Sequence, residues 1–347
     1  MPTKPTIWLR AESRPTEYRA PLSPRDAGTL VAAGVAVTVE CSGQRVFPDA
    51  AYAGFGCRLA EPGSWSTAPG DALILGLKEL PGAPGELRHR HAFFGHAFKC
   101  QPGAAALLAR FQRGGGMLLD LEYLTDAEGE RVAAFGHWAG FMGAALGVLA
   151  LAGPLGSLAP FDCPALVDAL RAAAPALAGC RSLVIGARGR SGRGAVEALA
   201  LAGLAPTLWD VAETRRLDHA ALVGHHLLVN AVGIAGPARP FLTSRDPPGR
   251  LRLVVDVTCD LGSPANALPI YERMTDWQTP VATLPSGVRL IAIDNLPSLL
   301  PQEASADFSS ALRPHLARPG EGPVWAAAAQ AFSAAMRAAT GQEIEHA

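Results

Sequence analysis

Two lysines and a histidine lie close together in the sequence and have the chemistry needed to move protons. Of the 30 Lys and Arg residues in the chain, only Lys4, Lys78 and Lys99 are lysines. Arginine stays protonated in proteins, so a position that keeps lysine suits a group that must lose its proton near neutral pH. Histidine titrates in that range, and His96 lies between Lys78 and Lys99. We interpret Lys78 and His96 as an acid–base pair. The alternative is that both lysines are ordinary charges on a solvated edge.

Length and composition predict a compact protein that acts on small molecules. The chain has 347 residues, of which 49% are hydrophobic and 18% charged, so we expect two domains with large cores. A formal net charge of -1 predicts no binding of nucleic acid or of a membrane. The six cysteines lack C-x-x-C spacing, which predicts neither a zinc site nor a disulfide framework.

The N-terminus and the lengths of the apolar runs predict where in the cell the protein is located. The first ten residues have no apolar signal core, and no apolar run is long enough to span a bilayer. We therefore expect a cytoplasmic protein, a monomer or small homo-oligomer, that has small-molecule substrates and no metal ion.

The elements that carry the candidate residues are predicted to be parallel strands. Short apolar runs bounded by charged or glycine-rich segments are typical of such strands, and here they are Thr6–Ala11, Val35–Glu40, Ala72–Leu77, Ala92–Phe98 and Met117–Glu122. Lys78 follows the third run, His96 lies near the end of the fourth, and Glu122 closes the fifth. Open α/β sheets bind their ligands beyond these carboxyl ends. Glu122 either tunes the lysine by charge pairing or is an ordinary partner for a surface arginine.

The first predicted strand breaks into a charged loop, E-S-R-P-T-E-Y-R-A-P-L-S-P. Pro15 and Pro21 rule out a helix there. Arg14, Glu17 and Arg19 should then lie just beyond the carboxyl end of the strand, where a ligand would bind. The alternative is a solvated loop that binds nothing.

The second half of the chain opens with the pattern of a dinucleotide-binding fold. The strand Ser182–Ala187 runs into a glycine-rich turn and a helix, and its glycines are Gly186, Gly189 and Gly192. Glycines let the backbone approach a pyrophosphate, and the N-terminus of the helix favours the anion. The next strand, Pro206–Trp209, ends at Asp210, a carboxylate that would bind ribose hydroxyls and favour NAD over NADP. The alternative is a tight turn without a ligand.

Further elements complete the predicted second domain. Continuous apolar runs of the kind that parallel sheets bury are His225–Val232, Leu251–Thr258 and Leu290–Ile293. Asp294 after the last run is either a ligand contact or a turn former. The helix His137–Ala152 is rich in Gly and Ala, so we expect it to pack closely and to bridge the two domains. The final helix, Val324–Ala339, should pack back on the first domain.

Eight collinear segments together resemble one enzyme family over nearly the whole chain. They are L-R-A-E-S-R-P-T-E-Y-R-A, G-L-K-E, G-H-A-F-K-C-Q, D-L-E-Y-L, R-V-A-A-F-G, G-A-R-G-R-S-G, V-V-D-V-T-C-D and I-D-N-L-P-S-L-L-P-Q-E-A-S. They resemble the lysine-forming, NAD-dependent saccharopine dehydrogenases of the aminoadipate route of lysine biosynthesis. The resemblance implies an α/β fold with two Rossmann-like, doubly wound domains, mainly parallel sheets and an active-site cleft between the domains. The substrate domain would comprise residues 1–136 and 302–347, closed by the C-terminal helix, and the NAD domain residues 137–301.

The resemblance also implies roles for individual residues in interconverting saccharopine with lysine and 2-oxoglutarate. Lys78 would be the general base and His96 the second acid–base group. The expected substrate-binding or site-tuning residues are Arg19, Lys99, Gln101, Glu122, Arg131, Phe135, Thr258, Cys259 and Asp260. The expected cofactor-binding residues are Gly186, Gly189, Arg190, Gly192, Asp210, Thr214, Val257, Ile293, Asp294, Asn295 and Leu296.

The chain departs from the family pattern near the expected cofactor site. Glu130 precedes Arg131 where the family usually has two arginines, so a carboxylate replaces one expected cation. Gly233 stands where tyrosine is common, and Asn295 replaces a histidine. Arg14 replaces a lysine in the first loop. None of these changes removes Lys78 or His96.

Two other functions remain open at the level of sequence. An alanine dehydrogenase or opine-type enzyme also joins a similar entry loop to a second dinucleotide domain with a catalytic Lys and His. A non-catalytic NAD-binding protein would explain the altered cofactor contacts. Tests with alanine and pyruvate, and with nucleotide alone, separate these alternatives.

Overall fold

The computed structural model describes residues 4–98, 103–234 and 236–339, and the chain divides into two compact units. The first unit combines the chain up to Ala134 with the chain from Pro301 onward, and the second is Phe135–Leu300. No helix within the described ranges combines the length and the apolar character that crossing a membrane requires.

Short strands alternate with helices along the chain. The strands are β1 (Thr6–Leu9), β2 (Ala36–Glu40), β3 (Arg58–Ala60), β4 (Leu73–Leu75), β5 (Arg90–Phe93), β6 (Met117–Asp120), β7 (Ser182–Ile185), β8 (Thr207–Trp209), β9 (Leu227–Asn230), β10 (Leu253–Asp256), β11 (Ala282–Thr283) and β12 (Arg289–Ile291). The helices are α1 (Pro24–Ala32), α2 (Asp49–Gly54), α3 (Ala104–Gly114), α4 (Gly136–Ala152), α5 (Cys163–Ala173), α6 (Arg190–Leu201), α7 (Val211–Arg215), α8 (His219–Val223), α9 (Pro301–Leu312) and α10 (Pro323–Ala339). Single 3₁₀ turns include Leu121–Tyr123 and Leu296–Leu299.

The first unit is built around a parallel sheet with the order β3-β2-β1-β4-β5-β6. Its central strands are continuous apolar runs because helices cover both faces, and Ile7, Leu9 and Leu75 are completely buried. The strand order reverses between β1 and β4, where Trp8 pairs with Ile74. Helices that leave in opposite directions open a crevice at such a point, beyond the carboxyl ends of the strands.

Helices α3 and α10 cover the β6 side of this sheet. Phe332 of α10 packs edge-on against Phe111 of α3, with 5.6 Å between the ring centroids. Both rings belong to the same core cluster as Leu118 of β6. The last helix therefore closes the first unit, although the whole second unit separates it from β6 in the chain.

The two strands that carry His96 and Glu122 are shorter than predicted. The chain leaves β5 after Phe93 and β6 after Asp120, so neither predicted strand, Ala92–Phe98 or Met117–Glu122, extends to its predicted end. The Asp120 carboxylate accepts hydrogen bonds from the N–H groups of Gly95 and His96, both at 3.1 Å. These bonds take the place of a strand ladder, and His96 adopts a left-handed backbone with φ of 49°.

The second unit has its own sheet, with the order β11-β12-β10-β9-β7-β8. All of its pairs are parallel except the β11–β12 edge pair. The order reverses between β7 and β9, which again marks a ligand-binding position in folds of this kind. The predicted α/β class with two mainly parallel sheets is confirmed.

Helix α4 lies inside the second unit and is apolar on all sides because it is buried on all sides. It approaches α6 so closely that a Cβ atom at Gly140 would lie 1.7 Å from the Ser191 carbonyl oxygen. A Cβ at Gly194 of α6 would lie 2.0 Å from the His137 carbonyl oxygen. Gly140 thus serves the contact of α4 with α6, whereas Gly143 and Gly147 face Val255 of β10.

Candidate active site

Lys78 lies just beyond β4, at the reversal point of the first sheet, and is partly buried. The Glu12 carboxylate reaches it from the loop after β1 and accepts the N–H groups of Leu77 at 2.7 Å and of Lys78 at 3.0 Å. The Arg10 guanidinium donates to the Lys78 carbonyl oxygen. Gly76 makes room for it, since a Cβ there would lie 2.3 Å from the Arg10 Nε. The backbone of Lys78 is thus held on both sides by side chains from one neighbouring loop.

The loop that carries Glu12 holds several charges in a largely buried position. Burial raises the pKa of Glu12, and attraction to Arg10 and the two backbone N–H groups opposes that rise only in part. Burial also acts on Glu17, but the Arg19 guanidinium and the charge of Lys78 outweigh it and hold the pKa of Glu17 below its usual value. The carboxylate of Glu17 is therefore ionised and lies within the electrostatic reach of Lys78.

This loop is largely buried and hydrogen-bonded within itself, so it is not the solvated loop of the alternative interpretation, and its binding of a ligand stays a prediction. Arg19 donates through Nε at 2.8 Å and Nη2 at 2.6 Å to Glu17, and the two side chains are 4% and 0% exposed. The Gln44 amide group donates to the carbonyl oxygens of Arg14 at 3.0 Å and of Glu17 at 2.8 Å. Arg14 itself forms a two-bond fork with Glu79 at the surface.

His96 lies beyond the end of the neighbouring strand β5 and is exposed. Its ring stacks on Phe94, with 6.4 Å between the centroids. Asp120 fixes its backbone and, through the second carboxylate oxygen, also accepts the N–H of Glu122 at 2.9 Å. The structure therefore brings Lys78, His96 and Glu122 to the same edge of the sheet, at the ends of three adjacent strands.

Four of the remaining predicted substrate-site residues lie in the turn before α4, at the start of α4 or outside the described residues. Arg131 is exposed and pairs through its backbone with Thr125 across a turn. Phe135 lies immediately before α4 and belongs to the second unit. Lys99 and Gln101 lie outside the described residues.

The glycine-rich turn of the second unit has the geometry of a phosphate cradle. Gly186 has φ of 80°, and a Cβ there would lie 2.8 Å from the Ala231 carbonyl oxygen. A Cβ at Gly192 would lie 2.1 Å from the Gly186 carbonyl oxygen. Gly189 forms the N-cap of α6, which Arg190 begins. Only glycine fits positions 186 and 192, and the N-terminus of α6 follows directly on this turn.

Asp210 lies beside this turn, at the end of β8. Its carboxylate accepts the N–H of Arg188 at 3.0 Å and the N–H of Val211 at 3.0 Å. It also caps α7 reciprocally with Glu213, whose side chain accepts the Asp210 N–H at 2.7 Å. The Thr214 hydroxyl donates to the Asp210 carbonyl oxygen at 2.9 Å. The expected ribose carboxylate is therefore fixed next to the glycine turn.

The segment after β10 is organised by Asp256, which the sequence interpretation did not include. The buried Asp256 carboxylate accepts the Thr258 hydroxyl at 2.8 Å, the Asn230 amide at 3.0 Å and the Tyr271 hydroxyl at 2.8 Å. The Cys259 thiol donates to the Asp256 carbonyl oxygen at 3.2 Å. Burial and the neighbouring carboxylates raise the pKa of that thiol. Thr258 and Cys259 thus use their polar groups to hold the turn that presents Val257 and Asp260.

The expected nicotinamide segment follows β12 and is mostly buried. Ile293 and Leu296 are 2% and 1% exposed, so their side chains belong to the core. Asn295 has φ of 71°, a left-handed conformation that asparagine tolerates, and it begins the 3₁₀ turn Leu296–Leu299. Asp294 lies at the exposed rim of this turn.

Three buried acids at strand ends are the functional residues that sequence interpretation missed. Glu40, Asp120 and Asp256 close the apolar runs V-T-V-E, M-L-L-D and L-V-V-D. Each carboxylate accepts backbone N–H groups from segments that follow a strand, as Glu40 of β2 does for Ala11 after β1 at 2.9 Å and for Trp65 after β3 at 2.6 Å. An acid that ends an otherwise apolar strand is the signal that could have identified them.

The two units, each with a mainly parallel sheet whose strand order reverses, have the architecture of dinucleotide-binding folds. Residues 8–142 match the family model described as the N-terminal domain of alanine dehydrogenase/PNT. A solved structure of an L-alanine dehydrogenase superposes with a TM-score of 0.68, covering 97% of this chain and 99% of that chain. Its sequence identity of 17% limits that likeness to the fold.

Similarity to characterised sequences identifies the family. The chain is 40% identical over 340 residues to saccharopine dehydrogenase [NAD(+), L-lysine-forming] of Emericella nidulans, with 89% of this chain and 91% of that protein covered. It is 38% identical over 360 residues to the protein of the same name from Schizosaccharomyces pombe, with 94% and 97% covered. The chain belongs to the saccharopine dehydrogenase [NAD(+), L-lysine-forming] family, which confirms the resemblance drawn from the sequence.

Proposed function

We propose that this protein is an NAD-dependent oxidoreductase that cleaves L-saccharopine to L-lysine and 2-oxoglutarate, and that it also catalyses the reverse reductive condensation. The observation that carries the proposal is near-full-length similarity to enzymes of that name, combined with Lys78 and His96 at adjacent strand ends. The reaction oxidises a secondary amine to an imine, which water then cleaves. Each proton step requires a group that titrates near neutral pH.

NAD is the proposed hydride acceptor, and the second unit has residues that fit it. Gly186 and Gly192 let the turn and α6 pack closely against the protein's own backbone, and the N-terminus of α6 would favour the charge of a pyrophosphate. Asp210 would bind ribose hydroxyls from its position beside the turn. Further proposed contacts come from Arg190, Thr214, Val257 and the segment Ile293–Leu296. When bound, the dinucleotide supplies hydride-transfer chemistry, and the residues of this chain orient it.

Proton transfer is assigned to the two groups at the edge of the first sheet. Lys78 accepts the proton of the substrate amine and later assists the addition of water to the imine. His96 exchanges protons with the carbinolamine oxygen and with the leaving amine. Arg19 and the charge of Lys78 hold the pKa of Glu17 below its usual value, so an ionised carboxylate lies within electrostatic reach of the proposed base.

Arginines are the proposed ligands of the substrate carboxylates. A planar guanidinium forms paired hydrogen bonds with a carboxylate, which suits the dicarboxylate end of saccharopine. The proposed guanidinium ligands are Arg131, which is exposed, and Arg19, which also donates through Nε and Nη2 to Glu17. The other proposed contacts are Lys99, Gln101, Glu122, Phe135, Thr258, Cys259 and Asp260.

The proposed setting is the cytoplasm, with small-molecule substrates and no macromolecular partner in the reaction. Free thiols suit a reducing compartment, and in the described part of the chain they are Cys41, Cys57, Cys163, Cys180 and Cys259.

The test follows NADH consumption with 2-oxoglutarate and, in turn, lysine, ornithine, alanine or glutamate, for the wild type and Lys78→Met. We expect turnover with lysine and a fall of about 100-fold or more in Lys78→Met, because general acid–base catalysis contributes that much. Glu86→Gln, which alters an exposed ion pair with Arg88, is the control and should keep the wild-type rate. Turnover of alanine with pyruvate but none of lysine would contradict the proposal, as would nucleotide binding without any turnover.

A further inference from the structure

The backbone of Lys78, which lies beyond the end of β4, is held by hydrogen bonds to side chains. The ladder between β1 and β4 ends with the bond from the Arg10 N–H to the Leu75 carbonyl oxygen, at 3.0 Å. Beyond that bond, at the reversal point, the Glu12 carboxylate accepts the N–H groups of Leu77 and Lys78.

Glu12 is itself held in place by buried partners. Arg10 forms an ion pair with it at 3.3 Å, and the two side chains are 1% and 6% exposed. The Arg10 guanidinium also lies over the Phe93 ring, 5.6 Å from its centroid. The N–H of Ala11, between the two charged residues, donates to the buried Glu40 carboxylate at 2.9 Å. Because these contacts fix the Glu12 carboxylate, they also fix the backbone N–H groups that it binds.

We propose that Glu12, held by Arg10, is a positioning residue that sets the direction of the Lys78 side chain in the reaction. Arg10 donates to the carbonyl oxygen of Lys78 while Glu12 accepts its N–H, so the peptide units on both sides of the Cα atom are fixed. The orientation of these units determines where the Cα–Cβ bond points, and through it where the amine can reach. This inference rests on the proposed role of Lys78 as the base.

The variant Glu12→Gln tests this inference with almost no change in side-chain volume. One carboxylate oxygen becomes an NH₂ donor, which cannot accept a hydrogen bond and faces another N–H. We expect kcat to fall by about 10- to 100-fold, because small misplacements of a reacting group have costs of that size. The KM for NADH should stay unchanged, since the residues proposed to bind NADH belong to the other unit. Glu86→Gln is the matched control and should change neither value.

A double-mutant cycle separates positioning from general stability. If Glu12 acts through Lys78, Glu12→Gln should lower the single-turnover rate in the wild-type background and have no further effect in Lys78→Met. An equal loss in both backgrounds would mean that Glu12 only maintains the fold, and it would overturn the proposal.

A second readout does not depend on turnover. Reductive ¹³C-methylation labels the α-amine and the three lysine side chains, and Lys78→Met assigns the signal of Lys78. In Glu12→Gln we expect the Lys78 signal to shift while the Lys4 signal stays in place. An unchanged Lys78 signal would overturn the inference. If no substrate pair turns over in the wild type, the proposed function fails, and this spectrum still decides whether Glu12 positions Lys78.

Discussion

His91 is a histidine that the fold keeps neutral. It is completely buried in β5, and neither ring nitrogen has a hydrogen-bond partner among the described residues. Its neighbours are aromatic rings, with centroids 5.2 Å away at Trp65 and 5.5 Å away at Phe111. Burial lowers the pKa of His91 from 6.5 to about 3, because a charged imidazole could find neither water nor an acceptor there.

The neutral His91 predicts a specific loss of stability in acid. Between pH 6.5 and about 3, His91 is protonated in the unfolded chain but stays neutral in the folded chain. The free energy of unfolding therefore falls as the pH falls. The loss should be about 1.4 kcal/mol per pH unit. We expect His91→Phe to remove that slope, measured by urea unfolding at several pH values. An unchanged slope would mean that His91 takes up a proton without unfolding.

The positions of the candidate proton-transfer residues were easier to predict from the sequence than the carboxylates that contact them. Sequence alone placed Lys78 and His96 beyond the ends of neighbouring strands, because an apolar run followed by a polar residue is visible locally. The sequence did not reveal the carboxylates that hold these two residues in place. Glu12 is 66 residues from Lys78 in the chain, and Asp120 is 24 residues from His96. Such pairs exist only after the strands are ordered in a sheet. The same holds for the left-handed backbone of His96, which Asp120 maintains.

At the scale of elements, the contact between α4 and α6 depends on glycine. Helix α4 is buried on every side, so its sequence has no polar face that would reveal which side contacts α6. The backbone carbonyl oxygens of Ser191 and His137 occupy the places where Cβ atoms of Gly140 and Gly194 would lie. A backbone atom cannot rotate away, so these positions accept no larger residue.

Gly140→Ala should therefore destabilise the second unit, although alanine normally improves a helix. In an open helical position the change stabilises by about 1 kcal/mol at most. At Gly140 we expect a loss of about 3 kcal/mol, the upper end of the range for overpacking, measured by chemical unfolding. Gly54→Ala in α2, where the added Cβ would meet nothing within 4 Å, is the control. Equal stability of both variants would contradict the close contact.

Strand positions were predicted well, and strand ends were not. The apolar runs located every strand that carries a candidate site residue, but β5 and β6 end earlier than their runs of apolar letters. The reason is tertiary, because Gly95 and His96 donate to Asp120 and not to a neighbouring strand. A run of apolar residues indicates that a segment is buried, but it does not show whether the segment is a strand. A buried segment that follows a strand therefore has the same pattern as the strand.

At the scale of the whole molecule, the first unit is assembled from two separate parts of the chain. Helix α10 supplies Phe332, whose ring contacts Phe111 at 5.6 Å between centroids and is 6% exposed. Ala328 of the same helix is completely buried. The apolar surface that α10 covers belongs to the sheet that positions Lys78 and His96.

Phe332→Ala should therefore loosen the first sheet and leave the second unchanged. A buried phenylalanine replaced by alanine costs about 3–5 kcal/mol. We expect faster hydrogen–deuterium exchange in β5 and β6, and wild-type exchange in β7 and β9. Gln330→Ala on the exposed side of α10 is the control. Uniformly faster exchange in both sheets would show that α10 does not act on the first unit alone.

The separated parts of the first unit also set an order of events during synthesis. Domains usually fold in the order in which they leave the ribosome. Here the strands β1 to β6 emerge first, but the helix that covers them emerges only after the entire second unit. The second unit can close while the first still exposes Phe111 and Leu118. The nascent chain therefore carries an incomplete catalytic sheet, and this exposed surface is where we expect a chaperone to bind.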